Sequence, residues 1–309
     1  MKTLMRTIQH ESRSDRFWIY PLFDIHLGSA ACDEKLLKRD IAEIASKPNA
    51  MVILGGDMID AVIHTDAKRY TGSTMADWCR GMDDIDDVIA AQLDMLTSTL
   101  YPIREKIIAV VEGNHESAAA KHNSRAVFRD LCGRIAGQDG RMSEIALGVE
   151  GFINLRFMRK SAGQKVEKSH TWPMTIYARH GFGGGRLKGG KINNLTQVLY
   201  AYDCDIALSG HVHDRIYTSV IRTGPGNGRS TCTQKEIHGV TCGTYLAPYM
   251  SLTAKGMPRN TYGQRSGYLP NAIGIPRIEI HPDKHRITVI WSSTASDASV
   301  PFEDDEWAA

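Results

Sequence analysis

The chain has 309 residues, 42% of them hydrophobic, with 37 Lys and Arg against 35 Asp and Glu. That composition fits a soluble globular protein with a sizeable core, and a net charge of +2 is too small to argue for nucleic acid by itself. No apolar run approaches the ~18 residues that span a bilayer, and Met1 to Arg16 lacks the apolar core of a signal peptide. The expected location is therefore the cytoplasm, with no membrane partner. None of the six cysteines forms a Cys-x-x-Cys pair, so they read as reduced thiols.

Phe17–Phe23 is an apolar, aromatic-rich run with strand character that ends at Asp24. A helix is expected over Asp33–Ser46, where Leu37, Ile41 and Ile44 recur at helical spacing, Asp33 can cap the start and Pro48 follows the end. Ala50–Leu54 is a short continuous apolar run, as in strands buried on both faces, and it ends at Gly55-Gly56-Asp57. Met82–Leu100 is a second expected helix, with Asp83, Asp84, Asp86 and Asp87 complementing the dipole in its first turns. Ile107–Val111 is a third apolar run, and Ser124–Ile135 reads as a basic helix. Strands then become commoner, at Phe152–Met158, Met174–Ala178 and Ile206–Ser209. Ile216–Ile221, Ile237–Tyr245, Pro276–Ile280 and Arg286–Trp291 suggest a meander. With no repeat or low-complexity linker, one domain over 1–309 is expected. It would carry a helical insertion at about 61–100, a β-rich portion at about 216–295 and an acidic tail at about 300–309.

Five short polar blocks stand out against this pattern. They are Asp24-Ile25-His26, Gly56-Asp57-Met58-Ile59-Asp60, Gly113-Asn114-His115-Glu116, His180-Gly181 and Gly210-His211-Val212-His213. Each follows an expected strand. In layered α/β proteins the loops at the carboxyl ends of strands form the active-site edge, so the five blocks should converge. Asp24 and His26 can reach one ion. Asp57, after two glycines, can bridge two cations with its two oxygens. Asn114 offers a neutral oxygen, and His180, His211 and His213 offer imidazole nitrogens. This mix suits Mn²⁺, Zn²⁺ or Fe²⁺ better than Ca²⁺. A pair of such ions lowers the pKa of a bound water, orients it and neutralises phosphoryl oxygens. His115, beside Asn114, is placed to act at the leaving oxygen as acid or electrostatic partner.

The set of blocks resembles the calcineurin-like metallophosphoesterase superfamily over about residues 17–215, with no motif position missing. The resemblance implies an α/β fold of the four-layer α/β/β/α sandwich type. It implies one metal held by Asp24, His26, Asp57 and His213, and a second held by Asp57, Asn114, His180 and His211. It gives His115 a role at the leaving group and makes Asp60 and Glu116 supports that orient the ligands. Two divalent ions are thus implied, with Mn²⁺ expected and Zn²⁺, Fe²⁺ or Ni²⁺ as other occupants. Two departures narrow the activity. Protein Ser/Thr phosphatases of this superfamily continue the second block with Asp-Arg-Gly, whereas Ala61-Val62-Ile63 follows Asp60 here. Purple acid phosphatases carry Tyr where Asp60 stands and lack the His of the first block, which is His26 here. The nuclease and phosphodiesterase branches remain, including stand-alone forms of bacteria and their phages.

The substrate side is read from charge. Residues 111–200 hold fourteen Lys and Arg against seven Asp and Glu. A glycine-rich basic stretch, Gly181 to Lys191, follows His180, and its Arg186, Lys188 and Lys191 are candidate phosphate contacts. Arg125, Arg129 and Arg134 are possible backbone contacts, while Phe182, Tyr200 and Tyr202 are either base-stacking or packing residues. His64, His122 and His170 read as surface residues. The leading expectation is a phosphodiesterase acting on nucleic acid. A phosphodiesterase or phosphatase for a small, for example cyclic, nucleotide is the alternative, and a non-catalytic scaffold is the reading from another class.

Overall fold

The structure is a computed structural model that describes residues 1–61, 75–79, 85–123, 126–137, 140–160, 170–185, 187–226, 231–247, 249, 252–254, 257–259, 264, 267 and 269–291. Outside them lie His64, Arg125, Arg186, most of Thr65–Gly81, Met82 to Asp84 and the acidic tail.

Two six-stranded sheets make the frame. One has the order β1 (Lys2–His10), β6 (Glu150–Arg159), β7 (His170–Arg179), β8 (Ile206–Ser209), β10 (Cys232–Cys242), β9 (Arg215–Pro225). The other has the order β14 (Arg286–Trp291), β13 (Pro276–His281), β2 (Phe17–Leu22), β3 (Ala50–Leu54), β4 (Ile107–Val111), β5 (Ala146–Gly148). The strands β2, β3, β4 and β5 run parallel, as do β7, β8 and β10. A small separate pair joins β11 (Leu252–Ala254) to β12 (Met257–Arg259).

Side chains sort by the two-residue period of a strand. Met51 and Ile53 of β3 turn to the sandwich interior, where they share a cluster with Ile153, Phe157, Met174, Ile176, Ile206 and Leu208 from the other sheet. Ala50, Val52 and Leu54 turn outward onto α1 (Glu34–Ser46), α2 (Ile85–Leu100) and α4 (Val127–Ala136). On the far side, Tyr177, Ala207 and Ile237 face Val198 and Leu199 of α6 (Lys188–Ala201). The layers are therefore helix, sheet, sheet, helix. Burying one such Leu, Ile or Val contributes about 1.5–3 kcal/mol, so the apolar runs alone account for strong layering.

The expected strands at Ala50–Leu54, Ile107–Val111, Ile206–Ser209 and Arg286–Trp291 have those bounds in the structure. The helix from Asp33 is α1, and Asp33 accepts a hydrogen bond from the Leu36 amide at 2.9 Å as its cap. The polar N-terminus, for which the sequence predicts no element, is a strand, because β1 pairs along its whole length with β6 and turns Leu4 into the core. Other expectations need correction. The basic helix expected at Ser124–Ile135 starts at Val127, preceded by α3 (Asn114–Asn123). The expected C-terminal meander is divided between sheets: β9 and β10 extend one, β13 and β14 the other. Among the described residues no helix is long and apolar enough to cross a membrane.

Candidate metal centre

All five polar blocks sit just beyond the carboxyl ends of strands. Asp24 and His26 follow β2, Asp57 and Asp60 follow β3, and Asn114 to Glu116 follow β4 and open α3. His180 follows β7, while His211 and His213 follow β8. Three blocks thus come from one sheet and two from the other, and they meet along the seam between the layers. The backbone links them. Asp24 N–H donates to Gly56 O at 3.1 Å, His26 N–H to Asp57 O at 2.9 Å and Gly210 N–H to His180 O at 2.7 Å. These loops leave no room for side chains where they touch: a Cβ on Gly56 would lie 2.6 Å from the Gly113 Cα and 2.8 Å from His180 Nδ1.

The backbone conformation is unusual at these positions. Asp24, His26, Asp57, His211 and His213 have φ of 50°, 52°, 53°, 69° and 49°. Among the described residues only Ala61 and His285 share that left-handed geometry without being glycine. It costs about 1–2 kcal/mol per residue for an L-amino acid, and such strain concentrates at functional sites.

The donors form two overlapping groups. Asp24, His26, Asp57 and His213 have ligand atoms within 4.8 Å of one another, and so do Asp57, His180 and His211. In the first group His26 Nε2 and His213 Nε2 are 3.1 Å apart, and His213 Nε2 is 3.2 Å from Asp24 Oδ1. In the second, Asn114 Oδ1 lies 2.9 Å from His180 Nε2 and 2.7 Å from His211 Nδ1, with Asp57 Oδ2 3.2 Å from His180 Nε2. Metal–ligand bonds of about 2.0–2.2 Å set neighbouring donors roughly 3 Å apart, so the residues fit such an ion. A third group, His26, Asp60 and His115, lies alongside. There His26 Nδ1 faces Asp60 Oδ1 at 3.3 Å and His115 Nδ1–H donates to the Asp60 carbonyl.

Orientation comes from the surrounding groups. His180 Nδ1–H donates to Gly55 O at 2.9 Å, which aims Nε2 at the centre. Glu116, 1% exposed, accepts from the amides of Asp57, Met58 and Gly113 at 3.0, 2.8 and 3.0 Å. Burial and the nearby Asp57 charge raise its pKa. Asp24 and Asp57 are fully buried, which opposes ionisation. The imidazoles around them outweigh burial, His213 chiefly at Asp24 and His115 with His180 at Asp57, and hold both pKa values below the ordinary carboxylate range. Burial lowers His26 and His211, which favours the neutral, ligating form. His180 is the exception. Burial opposes its charge too, but Asp57 and Asp24 raise it to about 10.

The candidate substrate residues are placed differently. Lys188 and Lys191 lie in the first turn of α6, not in a loop, and both pair with Asp214, at 3.5 and 3.2 Å. Lys191 also donates to the Val212 carbonyl at 3.2 Å, bracing the His211–His213 loop. Arg134 pairs with Asp94 and Asp130. Tyr202 stacks on Tyr177 in the core, whereas Phe182 is 71% exposed with the Arg179 guanidinium 5.2 Å from its ring. Sequence reading passed over Asp214, Thr244, Tyr245 and Asn271. Only Asp214, beside His213, carried a signal that proximity alone could have supplied.

No family model and no curated protein sequence matches the chain. Solved structures do. A metallophosphoesterase from Sphaerobacter thermophilus is 13% identical with a TM-score of 0.33, over 89% of this chain and 87% of that one. A calcineurin-like phosphoesterase, YfkN from Bacillus subtilis, is 12% identical with a TM-score of 0.32, over 73% and 90%. A Vps29 single mutant from Entamoeba histolytica is 10% identical with a TM-score of 0.34, over 89% and 98%. Likeness at this level carries no argument about activity. The four layers and the convergence of all five blocks are, however, the ones that the resemblance to calcineurin-like metallophosphoesterases implies.

Proposed function

We propose that the protein is a metal-dependent phosphodiesterase that uses two divalent ions, Mn²⁺ first among them, and acts on nucleic acid. One observation carries the reaction class. Five loops from two sheets bring Asp24, Asp57 and four histidines together, and among the described residues no Lys or Arg lies within ion-pair distance of either carboxylate. Only imidazoles balance their charge within the chain, and divalent cations can take that place. Asp24, His26, Asp57 and His213 would hold one ion, and Asp57, Asn114, His180 and His211 the other. Bound there, the ions supply an activated water and screen the phosphoryl charge.

The chain's own groups do the rest. Glu116 and the Gly55 carbonyl keep Asp57 and His180 in place. His115 has its Nδ1–H committed to Asp60 O, and its Nε2 lies 3.9 Å from Asp57 Oδ2 at the partly open rim. That nitrogen is the one to pass a proton to the leaving oxygen. The nucleic-acid reading is supported by the basic excess of residues 111–200 and by Phe182. Phe182 is two residues past His180 and exposed, and a Cβ on the intervening Gly181 would lie 2.9 Å from Ser209 Oγ and 3.6 Å from His211 Cβ, so the ring is a candidate base-stacking group beside the centre. Six unpaired cysteines, five of them buried, fit the cytoplasm.

The test is a Mn²⁺ hydrolysis screen across an aryl phosphomonoester, an aryl phosphodiester, cyclic nucleotides and single- and double-stranded nucleic acids. Phosphodiesters should be preferred, and nucleic-acid cleavage should weaken steeply with salt as multi-phosphate contacts are screened. Turnover confined to monoesters would overturn the reaction. Cleavage of cyclic nucleotides alone, insensitive to salt, would move the substrate to the small nucleotide.

A further inference from the structure

We propose that Thr244 is a positioning residue that sets the left-handed turn at Asp24 and so governs occupancy of one half of the centre, the half made by Asp24, His26, Asp57 and His213. The inference rests on the metal-centre reading above.

Thr244 lies outside the five blocks, two residues past the end of β10, and is 0% exposed. Its hydroxyl donates to the Asp24 carbonyl at 2.7 Å and accepts from the Leu246 amide at 2.9 Å. The Tyr245 amide donates to the same Asp24 carbonyl at 3.1 Å. Asp24 is therefore gripped at both ends of its residue: its N–H by Gly56 O, its C=O by two donors from the C-terminal portion. A side chain at φ 50° has little intrinsic preference to stay there. Fixing both peptide groups removes the alternatives and leaves the carboxylate aimed at His213 Nε2.

The grip is itself anchored. Tyr245 OH donates to the buried Asp40 carboxylate at 3.0 Å, Tyr245 O accepts from the Asp33 amide at 2.9 Å, and Thr244 O accepts from the Gly274 amide at 2.7 Å. The C-terminal portion also reaches the other end of the half-site. The Gly243 amide donates to Asp214 O at 3.1 Å, and the Asn271 side-chain amide donates to His213 O. The second half leans on Asp24 at one ligand, since the His211 amide donates to the Asp24 carboxylate at 2.9 and 3.1 Å, but its other ligands have separate ties: His180 is held by Gly55 O, and the His115 amide beside Asn114 donates to Asp57 Oδ1. Loosening Thr244 should thus weaken the ion that Asp24 ligates directly more than the one it touches only through His211.

Thr244→Val keeps the shape and deletes the donor, while Thr244→Ser restores it. The full chain, stripped of metal, is titrated with Co²⁺ and with Mn²⁺, reading stoichiometry by calorimetry and ligand-field absorption for Co²⁺. The thermal midpoint of each metal-free variant is recorded in parallel. Wild type and Thr244→Ser are expected to bind two ions. Thr244→Val is expected to bind one ion about 10–100-fold more weakly and to weaken the other by a clearly smaller factor. Tyr245→Phe keeps both donors and loosens only their anchor on Asp40. It should give the same selective loss in milder form, and it serves where Thr244→Val does not fold. Two ions bound by Thr244→Val at unchanged affinity, or equal weakening of both, overturns the inference alone. A wild-type chain that binds no divalent ion overturns the metal-centre reading and this inference with it.

Discussion

The two ends of the sandwich both bury histidines and carboxylates, yet they balance them differently. At the end opposite the blocks, Glu279 takes Arg16 at 3.0 Å and His281 at 3.1 Å, and Asp283 takes Arg159 at 2.8 Å. His10 settles on Asp15 at 3.7 Å and on the Ser12 carbonyl at 3.1 Å. Glu279 and Asp283 each have a permanent cation. At the block end the acids Asp24 and Asp57 face imidazoles and the amides of His211 and His115 but, among the described residues, no Lys or Arg, and two of the imidazoles face one another at 3.1 Å. A structural polar cluster neutralises itself within the chain. A cluster kept open for an ion meets its charge only with imidazoles, which can give up their protons to a metal, and holds its donors on strained backbone.

The largest expected break of this contrast is Asp57→Asn, since Asp57 belongs to both donor groups. Bound metal should fall at both positions, and hydrolysis of an aryl phosphodiester should drop about 10³-fold or more, as several kcal/mol of charge stabilisation is lost. Elemental analysis beside kinetics decides it; full metal content with full activity would sink the centre. His115→Ala comes next. The metal should remain, while kcat falls roughly 10²-fold or more with the loss of a proton donor at the rim. The sharpest comparison is between two buried glutamates. Glu116→Gln should weaken metal binding about 10–100-fold through misoriented ligands. Glu279→Gln should leave metal binding alone and lower the thermal midpoint, because it unpairs Arg16 and His281.

The smallest effect concerns pH. In the metal-free chain His180 stays protonated up to about 10, whereas Asp24 and Asp57 are ionised and burial keeps His26 and His211 neutral. A ligating imidazole must be neutral, so loading displaces one proton from His180. Affinity should rise with pH below about 10, by up to tenfold per unit, and level off above it. Calorimetry in buffers of different ionisation enthalpy counts that proton, and a count of zero at pH 7.5 would contradict the assignment.

The blocks were legible because each ended an apolar run whose length and neighbours left little doubt about a strand. Layering followed from the same runs, since Ala50–Leu54 and Ile107–Val111 are apolar on both faces. What escaped has physical reasons. β1 is an edge strand whose Lys2, Arg6 and Gln9 look like a solvated tail until β6 pairs with it. α3 begins inside a polar block and continues through three alanines, so it has no apolar stripe to detect. Gly189 and Gly190 made the start of α6 resemble a loop, although Asp214 gathers the lysines on either side. The division of the C-terminal strands between sheets depends on contacts hundreds of residues away, such as β13 with β2. Left-handed backbone at Asp24, His26, Asp57, His211 and His213 has no signature in residues that are not glycine.

The seam has a consequence for folding as well as chemistry. Asp24 and Asp57 hang from one sheet, while His180, His211 and His213 hang from the other. An ion shared among them would rivet the two layers, and an unfolded chain, with these donors scattered over about 190 residues, offers no equivalent grip. At a hundredfold excess over its dissociation constant, such a ligand adds about 2.7 kcal/mol to stability. Chelation should therefore do more than silence the site: it should lower the thermal midpoint of the sandwich.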